Sequence, residues 1–378
     1  MISRFSFPTR IVFGEGAVQE VGTLAAGLGA KRALIVADRG VVAVGLTEPV
    51  AKSLASAGIE HRVFDGISPN PTEENVDTGA AAYRNFGADL VVGVGGGSAL
   101  DGAKAVRLRA THDLPLDRYD DNIGGDALIR DDMPPMIAIP TTAGTGSEVG
   151  RSTVIVCRAN ERKTVIFSPH LMADFAVCDP VLTAGMPPQI TAATGMDALT
   201  HNIESYLATG YHPMADGIAL AGIRHCARSL QRAVECGSDL GARADMMMAA
   251  MMGATAFQKG LGVAHSLAHP LSTIAGMHHG MANAVVLPYT VDFNASACPE
   301  RFADIAQVLD LPRTPEAISG WVRALNASIG IPDNLRGFGV TEAMIAPMVA
   351  KALEDGCWRS NPRPCTAEDI EALYRAAL

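Results

Sequence analysis

The sequence predicts a two-part protein: an α/β N-terminal domain with a parallel sheet over 1–185, followed by an all-α C-terminal domain over 186–378. Three observations carry this reading. The 378 residues exceed the length of one ordinary compact domain. In the first half, short apolar runs alternate with helical stretches and glycine-rich turns. After about Met186, long Ala-, Met- and Leu-rich stretches carry helical spacing and β-branched runs nearly vanish.

Taken in order, an apolar stretch at 5–13 is a candidate edge strand, placed to pair across a two-fold axis in a homodimer. Buried strands follow at 32–37, 88–94 and 136–139. A helix over 48–57, the apolar pair Val63-Phe64 and the turn Ser68-Pro69-Asn70-Pro71 separate the first two strands, and a helix over 99–107 follows the second. The boundary falls near Gly185-Met186-Pro187-Pro188. Beyond it, 216–235, 240–259 and 342–353 have helical spacing, with Pro347 expected to kink or interrupt the last.

Composition narrows the class. Hydrophobic residues at 48% and charged residues at 19% belong to a packed protein, not a disordered one. The net charge of −10 argues against a nucleic-acid partner, which needs clustered Lys and Arg. No apolar run approaches the ~20 residues that span a bilayer, and 246–257 reads as a buried helix. The N-terminus lacks the apolar stretch and cleavage site of a signal peptide. Seven scattered cysteines with no CxxC pair suit reduced thiols of a cytoplasmic protein.

Three features sit at the carboxyl ends of strands, where parallel sheets bind ligands. Gly95-Gly96-Gly97-Ser98 lies between a strand and a helix, so the backbone can approach a pyrophosphate and the free amides favour an anion. Ser98 can also cap that helix, with Asp101 in a capping-box-like position. Gly96, Gly97, Ser98 and Asp101 are therefore candidate cofactor contacts. Next, 141–147 carries four hydroxyl side chains and two glycines, with Thr141, Thr142 and Thr145 placed to meet phosphate or ribose oxygens. Asp38 follows the first strand; there an acid either caps a helix or accepts from ribose hydroxyls, the latter favouring NAD over NADP. These features make the first domain a dinucleotide-binding, Rossmann-like one.

In the helical half, Asp197 and His201 are four apart, as are His265 and His269, and His278-His279 follows nine residues later. The i,i+4 spacing puts each pair on one helix face. One acid with three imidazoles makes a site for Fe²⁺ or Zn²⁺. Spacing leaves open which three of His201, His265, His269, His278 and His279 bind, and by itself favours His265 with His269.

Together, Gly95-Gly96-Gly97-Ser98 with Asp101 and Lys104, Pro140-Thr141-Thr142-Ala143-Gly144-Thr145, Asp197-x3-His201 and His265-x3-His269-x9-His279-Gly280 resemble the iron-containing (group III) alcohol dehydrogenases along the whole chain. The resemblance implies a cleft between the two domains, and Asp197, His201, His265 and His279 as ligands of Fe²⁺, with Zn²⁺ as the other ion such sets accept. It leaves His278 incidental and gives His269 a catalytic place near the metal, as an orienter or part of a proton path. Its nucleotide contacts carry over to Asp38, Asn70, Gly97, Ser98, Thr141, Thr142, Thr145 and Lys163, the last in a stretch where short insertions are common. The implied activity is NAD-linked interconversion of a small alcohol and its aldehyde or ketone. Lys259, shortly before the metal histidines, and Arg151, after the Thr/Gly loop, are candidate readers of an anionic substrate such as an ω-hydroxy acid. Competing readings are a metal-free reductase, a polyol dehydrogenase or dehydroquinate-synthase-like lyase of the same fold, and a non-catalytic NAD or metal sensor.

Overall fold

The computed structural model describes Phe5, Phe7, 9–159 and 162–378. The N-terminal part runs β1 (Arg10–Phe13), α1 (Val21–Gly27), β2 (Arg32–Asp38), α2 (Arg39–Ala43), α3 (Glu48–Ser56), β3 (Glu60–Ile67), α4 (Glu73–Phe86), β4 (Leu90–Gly95), α5 (Gly97–Thr111), β5 (Met136–Pro140), β6 (Ser152–Cys157), β7 (Arg162–Phe167) and β8 (Phe175–Cys178). Six of these strands form one parallel sheet in the order β1-β8-β5-β4-β2-β3. The continuous apolar runs follow from burial on both faces. From β2, Ala33, Ile35 and Ala37 join one core with Val92, Val94, Ile137 and Ile139, while Leu34 and Val36 join another with Val91, Met136 and Ala138.

Two sequence expectations change here, and one element is new. Helix α5 starts at Gly97, with Gly96 as its cap and no side-chain cap bond, so the Ser98–Asp101 capping box does not form. Ser98 instead donates its hydroxyl to the Pro69 carbonyl. The antiparallel hairpin β6–β7 is the added element.

The C-terminal part is helical: α6 (Pro188–Leu207), α7 (Pro213–Glu235), α8 (Leu240–Ala256), α9 (Val263–Ile274), α10 (His279–Asn294), α11 (Pro299–Val308), α12 (Pro315–Ser328), α13 (Glu342–Glu354) and α14 (Ala367–Ala377). Helix α6 is buried almost all round from Thr191 onward. Small residues let its neighbours close in: a Cβ at Gly253 of α8 would lie 2.8 Å from the His201 Cβ. Pro347 does not interrupt α13, which runs through it. Pro288 likewise sits inside α10, and the Ala284 carbonyl four residues back, which has no N–H to accept from at position 288, accepts from Asn326 Nδ2 at 2.7 Å.

The chain divides into two compact units. Phe7–Thr142 and Gly146–Thr183 make the α/β unit, and Ala143–Thr145 groups with Ala184–Leu378 in the helical one. No helix among the described residues is long and apolar enough to cross a membrane.

Candidate metal centre and glycine-rich turn

In the helical unit, α6 contributes Asp197 and His201, α9 His265, and α10 His279 at its first residue. Asp197, His265 and His279 each bring one donor atom within 4.8 Å of the others. Asp197 Oδ1 lies 3.8 Å from His265 Nε2 and 3.5 Å from His279 Nε2. Donors at tetrahedral corners 2.0–2.1 Å from a divalent ion stand about 3.4 Å apart, so these three already have nearly the required separation. His201 stacks on His265 with ring centroids 4.6 Å apart, and its buried Nδ1 has no hydrogen-bond partner. His201 is not one of the three donors that fall within 4.8 Å of one another, but it packs against one of them with a buried nitrogen that has no partner, as a further ligand would.

Asn283, which sequence reasoning passed over, marks the focus. Its Nδ2 lies 2.8 Å from Asp197 Oδ1, 3.4 Å from His265 Nε2 and 3.2 Å from His279 Nε2. It sits one turn after His279, and that spacing was its only sequence signal.

The electrostatics suit a cation. Burial raises the Asp197 carboxyl, but the three imidazoles and Asn283 outweigh it and bring it down to about 2. Burial lowers His201 to about 4 and His279 well below its usual range. The ionised carboxylate and these two neutral imidazoles have the protonation state that metal binding requires, whereas Glu204 raises His265 against its burial.

Further polar side chains hold this group in place. Glu204, also on α6, accepts from His265 Nδ1 at 2.6 Å. It stands seven residues after Asp197 on the same stripe, a signal present in the sequence and not used. His269 places its Nδ1 2.7 Å from Asp355 Oδ2 and stacks on His279 at 5.2 Å. Burial pushes the Asp355 carboxyl up, yet His269, Ser266 and the Cys357 amide hold it well below the usual carboxylate range. His278 caps α10 by accepting from Gly280 N.

Lys259 departs from the expectation of an anion reader. Its side chain is fully buried; Nζ pairs with Asp216 and donates to the Tyr206 carbonyl at 2.8 Å. Its charge is committed inside the helical unit, where Arg301 joins the same carboxylate. The segment 257–259 is a single 3-10 turn after α8, not a continuation of that helix.

In the α/β unit, β4 ends at Gly95 with φ +147°, and a Cβ there would lie 2.5 Å from that of Ala99. Gly96 has the same intimacy with Thr142, 3.1 Å from its side chain. The turn therefore passes bare backbone to the start of α5, where the first amides lack helical partners. Thr141 is buried and donates its N–H to the Gly95 carbonyl at 3.0 Å. Asn70 is exposed, two residues before the Thr72 cap of α4.

Several candidate side chains here are already engaged. Asp38 Oδ1 accepts from Val41 N at 2.9 Å and caps α2. Asp101 is taken up by the fold: Oδ1 accepts from Ser147 Oγ at 2.7 Å and Oδ2 from Val154 N at 3.0 Å. It pins the hairpin, each of its oxygens already accepting one hydrogen bond within the fold. Lys104, wholly buried, donates to the carbonyls of Ser147, Gly150 and Ser152 and to Ser147 Oγ. Lys163 stands on β7 and Arg151 lies over the Phe167 ring at 5.0 Å. Thr145 falls in the segment that groups with the helical unit.

The chain is similar to known proteins along its whole length. Residues 8–180 match the iron-containing alcohol dehydrogenase family, and 191–378 match the C-terminal domain of the Fe-containing alcohol dehydrogenase family. The 4-hydroxybutyrate dehydrogenase of Cupriavidus necator is 42% identical over 379 residues, with 98% of each chain covered. A solved 1,3-propanediol oxidoreductase aligns with TM-score 0.95 at 39% identity over 100% of both chains. The sulfoacetaldehyde reductase of Bifidobacterium kashiwanohense, solved in complex with NAD⁺, aligns with TM-score 0.93 at 29% identity over 100% of this chain and 99% of that one. The chain belongs to the iron-containing alcohol dehydrogenase family.

Proposed function

We propose that this oxidoreductase interconverts a small primary alcohol and its aldehyde, using NAD and a divalent metal, Fe²⁺ or Zn²⁺, held by Asp197, His201, His265 and His279. The observation that carries this is the buried donor cluster, with near-tetrahedral separations and the unpartnered His201 Nδ1 beside it. The ion would supply Lewis acidity toward the substrate oxygen, and the dinucleotide would take up or deliver the hydride.

The residues divide the remaining work. Asp355 fixes the proton of His269 on Nδ1, leaving Nε2 to accept or return the alcohol proton. The amides of Gly97 and Ser98 at the start of α5 suit the pyrophosphate. Asp38 keeps Oδ2 for a ribose hydroxyl while Oδ1 caps α2. Asn70, Thr141, Thr142, Thr145 and Lys163 complete the proposed nucleotide contacts.

The names of two relatives, a 4-hydroxybutyrate dehydrogenase and a 1,3-propanediol oxidoreductase, support a three- or four-carbon substrate with a terminal hydroxyl and a second polar group at its other end. With Lys259 committed to Asp216, Arg151 is the remaining candidate for a carboxylate on such a substrate. The exposed edge of β1, with Ile11 and Phe13 partly in solvent, is the surface on which a second copy would extend the sheet.

The test is NADH formation from 1,3-propanediol, 4-hydroxybutyrate and simple primary alcohols. Turnover of at least one, with tight NADH binding, is expected. Consumption of a substrate with no net NADH would point to a lyase, and binding without any turnover to a sensor.

A further inference from the structure

Glu204 does two jobs in one buried place. It is 4% exposed, and Oε1 accepts from Ala264 N at 2.6 Å while Oε2 accepts from His265 Nδ1 at 2.6 Å. Ala264 is the second residue of α9, so the first contact caps the helix that carries His265. Asn361 covers the amide before it, accepting from Val263 N at 3.2 Å. The carboxylate reaches α9 because residue 262 is glycine: a Cβ there would lie 2.6 Å from Glu204 Oε1 and 2.9 Å from Asn361 Oδ1.

A helix cap needs only an acceptor, and glutamine would serve. The second contact needs more. An imidazole that donates Nδ1–H to a carboxylate is held in the tautomer whose Nε2 lone pair is free, and His265 Nε2 is the atom facing Asp197. The negative charge also makes that nitrogen a better donor.

We infer that Glu204 is a positioning residue of the metal centre, setting its affinity for a divalent ion by orienting His265. This rests on the reading that Asp197, His201, His265 and His279 hold the ion. The stripe Asp197, His201, Glu204 would thus supply two ligands and the orienter of a third from one face of α6.

The experiment is a zinc titration of the metal-stripped full chain against a chromophoric chelator, for wild type and Glu204→Gln, with melting of both metal-free proteins alongside. Glutamine keeps an acceptor for Ala264 N but not the carboxylate for Nδ1. The expected result is a zinc dissociation constant raised roughly 10–100-fold, with little change in metal-free melting. Tight wild-type binding that is unchanged in the variant would overturn the role of Glu204 alone. Absence of any tight site in the wild type would remove the metal-centre reading and this inference with it. Should the variant not fold, ¹⁵N-histidine spectra of the zinc-loaded wild type decide: His265 must carry its proton on Nδ1, and a proton on Nε2 would overturn the assignment.

Discussion

The two units build their candidate sites from different materials. In the α/β unit the site is backbone: Gly95 in a conformation reserved for glycine, Gly96 against Thr142, and the open amides of α5. The charged side chains nearby are largely spent on the fold, Asp101 on the hairpin and Lys104 on the carbonyls of 147–152. In the helical unit the site is side chains, and the telling atom is one without a partner, His201 Nδ1. A backbone site tolerates substitution of its side chains, whereas a side-chain site does not. Mutagenesis separates the two.

The largest effect belongs to the helical unit. Asp197→Ala or His265→Ala should abolish stoichiometric metal and lower kcat/KM by roughly 10³-fold or more, because a Lewis-acid ion contributes several kcal/mol at the transition state. Metal analysis and steady-state kinetics on the same preparation check this, and full activity in either variant would break the comparison.

A buried acid of the α/β unit gives the next effect. Burial raises the Glu148 carboxyl from 4.5 to about 7, against the pull of Lys104. The unfolded chain releases this proton at a lower pH than the folded one, so wild-type stability falls as pH rises from about 4.5 to about 7. Glu148→Gln removes that loss and should be more stable than wild type at pH 8 by up to about 3 kcal/mol, and by much less at pH 4. Denaturant unfolding at the two pH values measures it, and a variant destabilised at pH 8 would show the carboxylate to be favourably paired.

Lys259→Met should cost about 1–3 kcal/mol of stability, held down because Arg301 still faces Asp216. The preference between 4-hydroxybutyrate and 1,3-propanediol should not move. A variant of unchanged stability with a raised KM for the hydroxy acid alone would restore Lys259 as an anion reader. The smallest effect is Ser98→Ala, which loses the bond to the Pro69 carbonyl, worth about 1 kcal/mol. A backbone site should keep its NADH affinity nearly intact in this variant; a large loss would mean that the hydroxyl, not the amides, holds the pyrophosphate.

Local patterns revealed what is local. Apolar runs bounded by glycines or prolines marked β2, β4 and β5, and helical spacing marked α7, α8 and α13. The hairpin β6–β7 escaped notice although 153–156 is a β-branched run, because it follows directly on a loop whose composition suggested ligand contacts. The Asp197 and His265 spacings pointed to the donor cluster that the fold assembles, whereas spacing by itself favoured His265 with His269. His269 is drawn to Asp355, 86 residues away, and Lys259 to Asp216, 43 residues away. Such partners are set by helix packing and leave no mark on the neighbouring sequence. The same holds for Asp101, whose capping spacing was real but whose oxygens are claimed by Ser147 and Val154, 46 and 53 residues on.

The central claim is that turnover depends on an ion held by the helical unit. The direct measurement is NADH formation from 1,3-propanediol by protein stripped with a chelator, then reloaded anaerobically with one equivalent of Fe²⁺ or Zn²⁺. Activity absent from the stripped enzyme and restored at about one ion per chain is the predicted result. Undiminished activity in demonstrably metal-free protein would contradict the account.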